Sequence, residues 1–174
     1  MVFSVTTGAE GLQEPAGYRM DDYRAPTPQT LQGATVLSTD AAHAAWERHQ
    51  AVFVDVLPQP PRPAGLPAST LWHPRPRADV PGSIWLPDTG YGALAPGMAG
   101  YFETSLERAT AGDRARMLVF YCLMDCWMSW NAAKRALSLG YLHVAWYPDG
   151  TDGWVAHAFP TAVNEPVPRP RMQE

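Results

Sequence analysis

The chain of 174 residues has two cysteines, and both fall in one short stretch, Cys122, Leu123, Met124, Asp125, Cys126, followed by Trp127. A disulfide closing so small a loop takes little entropy from the unfolded chain, because that gain grows only with the logarithm of loop length. The spacing therefore points to chemistry rather than stapling. If residues 122–126 curl like a helical turn, Cα atoms at i and i+4 lie about 6 Å apart, a separation a disulfide accepts. A reversible bond between the two sulfurs is then sterically open.

Two other uses of the pair stay open. Flanked by Met124 and Met128, the thiols are soft ligands suited to Cu(I), with His143 and His157 as candidate additions, although a lone histidine near a strand is ordinarily satisfied in the core. The Pro- and Trp-rich surface would also serve a noncatalytic partner-binding module. No organic cofactor and no resident metal is expected.

Composition narrows the setting. Hydrophobic residues make up 46% of the chain, enough for one compact domain with a sizeable core. The net charge is -4 and Lys134 is the only lysine beside twelve arginines, so no broad basic surface is available to a phosphate backbone, and nucleic acid is an unsuitable partner. No apolar run reaches the ~18 residues of a membrane span. The opening MVFSVTTGAEGLQEPAG lacks Lys, Arg and a long apolar block, so it is not the pattern of an intact signal peptide, but it fits what remains after one is removed. With eighteen prolines and seven tryptophans, the composition suits a rigid extracytoplasmic protein, although high-GC codon usage gives the same bias; the expectation of a periplasmic location rests in part on the family resemblance described below.

The elements that must position the cysteines follow from pattern and punctuation. Residues 1–33 read as an N-terminal extended arm, 34–160 as the domain, and 161–174 as a Pro-rich tail. Within the domain, residues 34–38 predict a short strand. Thr39-Asp40 is expected to cap an Ala-rich helix, and the valine-dense 51–56 reads as a buried strand. Residues 57–82, with eight prolines, predict one long loop packed down through Leu71 and Trp72. Further strands are expected at 83–87, 116–122 and 143–148, and helices over 101–110 and from about 128 to Gly140, the latter capped by Ser129 or Asn131. Asp149 and Asp152 are assigned to a turn, DGTDGW, and residues 155–159 to a short last element. Strands alternating with helices predict an α/β domain with a central, mostly parallel sheet flanked by helices.

Three pieces, FVDV at 53–56, DVPGSIWLP at 79–87, and LVFYC leading through AAKRALSLGY to HVAWYPDGTDGW, resemble in order the rhodanese family. CLMDCW further resembles the signature of a rhodanese-like family with a Cys-x-x-x-Cys-Trp motif, associated with pyrroloquinoline-quinone-dependent alcohol catabolism. The resemblance places Cys122 at the nucleophile position, in a loop whose backbone N–H groups and following helix favour an anionic sulfur. Cys126 then becomes the resolving thiol, which would also release a persulfide or sulfenate formed on Cys122. Asp125 would tune a thiol or accept a proton, solvated loop residue being its plainer assignment. Leu123, Met124, Trp127, Met128 and Ser129 are expected to line the substrate site, with Trp127 stacking on a ligand or else anchoring the core. The glycine and arginine of a typical sulfurtransferase loop are absent, which weakens thiosulfate transfer and phosphatase action, unless Arg75 or Arg77 supplies a cation. The resemblance implies that Asp55 matches an aspartate that braces the active-site region, but Leu57 and a proline run follow where an arginine is common, which leaves a purely structural role open. The implied activity is a thiol-disulfide oxidoreductase or atypical sulfurtransferase, and the implied partner a periplasmic redox or sulfur-carrying protein, such as one serving a quinoprotein dehydrogenase system.

Overall fold

The computed structural model describes residues 11–169. Its centre is a five-stranded, wholly parallel sheet made of β1 (Thr35–Val36), β2 (Ala51–Asp55), β4 (Ile84–Trp85), β5 (Met117–Tyr121) and β6 (Val144–Tyr147). The strand order is β1-β6-β5-β2-β4. Helices α1 (Thr39–Glu47), α2 (Met98–Thr110), α3 (Trp127–Ser138) and α4 (Gly150–Ala156) cover the faces. Two short strands, β3 (Arg77–Asp79) and β7 (Ala162–Asn164), pair antiparallel outside the main sheet.

The central strands are apolar at nearly every position because both of their faces are covered. Leu118 and Phe120 of β5 point into one core with Phe102 and Leu106 of α2 and Trp130, Ala132 and Ala136 of α3. Val119 and Tyr121 point into the other core, with Ala42 of α1, Phe53 and Trp154 of α4. Trp130, Trp146 and Trp154 are completely buried. The strand alternation thus assigns each side chain to a helix layer, and truncating any of these rings would leave a cavity costing about 3–5 kcal/mol.

Several boundaries differ from expectation. The cap of α1 is Ser38, whose hydroxyl accepts from the Ala41 N–H. Thr39 is free to turn inward, where it meets Asp149 and Tyr147. Helix α2 starts at Met98, three residues early, from a left-handed Gly97. Residues 57–82 are not loop throughout, since β3 lies within them, and Leu71 does not pack down but is 83% exposed. The DGTDGW segment is the first part of α4 rather than a turn, and the short last element expected at 155–159 is the end of that same helix, Val155 and Ala156, with its cap at His157. The C-terminal segment supplies β7.

Neither Ser129 nor Asn131 caps α3, whose first position is Trp127; both are buried inside the helix. The reason is tertiary. The arm, described from residue 11, runs over α3 and meets its polar groups. Asn131 accepts the Arg19 N–H at 2.9 Å and donates to the carbonyls of Arg19 and Gly90, each at 2.9 Å. Trp130 Nε1 donates to Thr30 O, and Lys134 Nζ to the carbonyls of Pro15 and Ala16. Residues 1–10 and 170–174, with the outer parts of the expected arm and tail, lie outside the described residues.

Candidate active site: the cysteine loop

Cys122 follows the last residue of β5, so it stands at the carboxyl end of the central parallel strands, where open α/β sheets place their sites. Four residues on, Cys126 is the N-cap of α3, and the two are joined in a disulfide with Cα atoms 6.3 Å apart. The loop can make this tight return because Asp125 adopts a left-handed conformation, φ 52°, which a short polar side chain tolerates. Asp125 itself is exposed, as is Met124, while Leu123 is half-buried. Cys122 and Cys126 are sealed, at 0% and 2% exposure.

Two layers hold the loop. From below, α4 presents its first turn: the Thr151 N–H donates to the Cys122 carbonyl at 3.0 Å, the Thr151 hydroxyl approaches the same oxygen at 3.4 Å, and the Met124 N–H donates to the Asp152 carboxylate at 2.9 Å. Gly150, at φ +54°, is required here, since a Cβ would collide with the Cys122 carbonyl. From above comes the arm. Arg24 pairs with Cys126 in an antiparallel bridge, and the Trp127 N–H donates to Tyr23 O at 2.9 Å. The amide cup expected to face an anionic substrate therefore has one of its donors taken by the protein's own backbone.

The other proposed lining residues are spread. Trp127 is buried, with Nε1 on Pro26 O and the Arg19 guanidinium 5.0 Å over its ring, so it anchors the arm. Met128 is buried and packs where Gly90 leaves no room for a side chain. Ser129 donates to Cys126 O and accepts from Trp146 Nε1, tying α3 to the sheet. Only Leu123, Met124 and Asp125 share the outward loop. His143 precedes β6, at the opposite end of the sheet from Cys122, and His157 caps the far end of α4. Among the described residues no cluster of three or more His, Cys, Asp or Glu side chains is placed to hold a metal.

Arg77 is spent on an ion pair rather than offered to the cysteines. Its Nε donates to Asp55 Oδ2 at 2.7 Å and its terminal nitrogen to Thr151 Oγ1 at 3.2 Å. Asp55, fully buried, also accepts the Leu57 N–H. Through Arg77, which comes from β3, Asp55 is tied to Thr151 and so to the Cys122 carbonyl. Sequence reasoning missed its neighbour Asp79, whose carboxyl hydrogen-bonds that of Asp55 and accepts from Asn164 Nδ2 at 2.9 Å. Burial, opposed by the Asn164 bond and aided by the Asp55 charge, pushes the Asp79 carboxyl up to about 7. Burial likewise raises Asp55, against the pull of Arg77, and it lifts the Tyr121 hydroxyl well above the ordinary tyrosine value. A proline-rich stretch separates Asp55 from Asp79, so no local spacing announces the pair.

No family model matches the chain, and no curated protein matches it. Solved structures do. Thiosulfate sulfurtransferase from Pseudomonas aeruginosa is similar over 80% of this chain and 22% of its own, at 16% identity and TM-score 0.51, so this chain spans about a fifth of that protein. The polysulfide-sulfur transferase of Wolinella succinogenes is similar over 75% of this chain and 79% of its own, at 17% identity and TM-score 0.47. A human single-domain sulfurtransferase matches over 71% and 96%, at 19% identity and TM-score 0.44. The parallel sheet, the cysteine at the end of its central strand and the first of these likenesses make this a rhodanese-like α/β fold.

Proposed function

We propose that the protein performs thiol-disulfide or persulfide exchange through Cys122 and Cys126. The single observation supporting this reading is that a rhodanese-like loop carries a second sulfur bonded to the first. In the reduced protein the Cys122 thiolate attacks a partner disulfide, the partner's S–S bond breaks and its distal thiolate leaves. The Cys126 thiolate then attacks Cys122 Sγ, forms the internal bond and expels the second partner thiolate, which takes up a proton. The partner gains two electrons and the pair loses them. Starting from a persulfide on Cys122, the same attack releases hydrosulfide.

Sealing of the oxidised pair fits a relay that protects its product until the loop opens. The engagement of Arg77 with Asp55 removes one of the two candidate arginines, Arg75 and Arg77, as a clamp for thiosulfate at Cys122. Location in the periplasm and service to quinoprotein alcohol oxidation are part of the proposal, supported by the Cys-x-x-x-Cys-Trp resemblance and the composition. The test is Cys126→Ser incubated with a small disulfide or polysulfide and analysed by intact mass. A covalent adduct on Cys122 that persists in this variant and is cleared in the wild type is expected. Equal adduct lifetimes in both would sink the resolving role of Cys126.

A further inference from the structure

Below the cysteine loop a continuous line of polar contacts runs from β7 to Cys122. Asn164 donates to Asp79, the Asp79 and Asp55 carboxyls share a hydrogen bond, Arg77 bonds Asp55 and the Thr151 hydroxyl, and Thr151 holds the Cys122 carbonyl by its N–H and hydroxyl. Two carboxyls in hydrogen-bond contact need one proton between them. Asp55 accepts Arg77 on one oxygen and the Leu57 N–H on the other, so it is the ionised member. Asp79, facing one neutral amide, is the member that keeps the proton. Protonated, the group carries one positive and one negative charge; with Asp79 ionised it carries an uncompensated buried negative charge.

We propose that Asp79 is a positioning residue for the cysteine loop, its proton deciding how Arg77 is divided between the carboxyl pair and Thr151, so that exchange at Cys122–Cys126 is sensitive to pH. Loss of the proton draws Arg77 toward two carboxylates and off Thr151, which loosens the seat of the Cys122 carbonyl. It also adds a negative charge beneath the sulfur that reduction converts to a thiolate. The added charge opposes formation of the thiolate and so favours the disulfide. The Asp79 value of about 7 puts the change near neutrality. The other ionisable groups facing the line are Tyr121 of β5, held on Ser83, and Asp149 and Asp152 at the head of α4, held on Thr39 and on the Met124 N–H.

This inference rests on the exchange reading above. In the exchange tested, a dithiol transfers two hydrogens to the pair, its own sulfurs join in a ring, and the Cys122–Cys126 bond breaks. Wild type and Asp79→Asn are equilibrated with reduced and oxidised dithiothreitol between about pH 6 and about pH 8, acid-quenched and weighed. The variant keeps an amide toward Asp55 and cannot ionise. The ratio of the two exchange constants should change about fivefold over that interval, the low end for coupled sites, with wild type the more oxidised at high pH. A constant ratio overturns the inference and leaves the exchange reading standing, whereas a pair that no dithiol reduces at any pH removes the reading itself. A second measurement needs no variant: the infrared band of the protonated carboxyl, titrated in oxidised and reduced wild type. Linkage requires its midpoint to rise on reduction, and equal midpoints overturn the proposal.

Discussion

Stability should fall, not rise, as the pH climbs from weakly acid to neutral, and Asp79 is the reason. Its carboxyl is raised from 3.8 to about 7 by burial, so the folded chain binds this proton more tightly than the unfolded chain does. A raised acid contributes stability that is fully present below the unfolded value and is lost as the pH rises through the folded one. From about pH 5 to the folded value roughly two pH units are crossed, worth about 2.7 kcal/mol at 1.36 kcal/mol per unit. Screening and sharing of the proton with Asp55 reduce this to about 2 kcal/mol. Urea unfolding under non-reducing conditions at about pH 5, 6, 7 and 8 measures it, as a midpoint that falls with an unchanged slope. Asp79→Asn, which offers the same shape without a charge, should flatten the curve and be the more stable protein at about pH 8. A wild type equally stable at both ends, or a variant that falls in parallel with it, would refute the reasoning.

Two further outcomes test the layers that hold the loop. Arg77→Met removes the partner of a fully buried carboxylate and should cost about 3–5 kcal/mol near neutral pH, with a smaller loss in acid where Asp55 takes up a proton, read from the same urea curves. Asn131→Ala deletes three hydrogen bonds, a buried one to Gly90 and two half-buried ones to Arg19, and should cost about 2–3 kcal/mol while loosening the arm. Dithiothreitol should then reduce the pair severalfold faster, as followed by alkylation, and an unchanged rate would mean that the arm does not shield it.

Much of the sheet was legible because β2, β5 and β6 are buried on both faces, which leaves near-continuous runs such as MLVFY and VAWY that only a covered parallel sheet requires. Strands β3 and β7 were not, being three residues each, polar or bordered by proline, and paired with each other across more than eighty positions. Helix α4 was hidden by glycines at 150 and 153, which read as a turn, although a Cβ at either would strike the packed neighbours. At the site, the four-residue spacing made the meeting of the two sulfurs legible, but the return is made by a left-handed Asp125 and an extended Cys126 rather than by the helical turn expected. The arm's hold on the head of α3 did not, since Tyr23 O on the Trp127 N–H substitutes for a cap no local residue supplies. Nor did the Asp55–Arg77 ion pair, whose partners are 22 residues apart through a proline-rich segment.

The most direct measurement of the central claim is intact mass after acid quench and alkylation, taken on the purified protein, after a dithiol, and again after reoxidation by a small disulfide. A working exchange pair gives no alkylation at first, two labels after reduction, and none once more after reoxidation, with the native fold kept throughout. Thiols labelled from the outset that never close, or a bond that opens only when the chain unfolds, would contradict it.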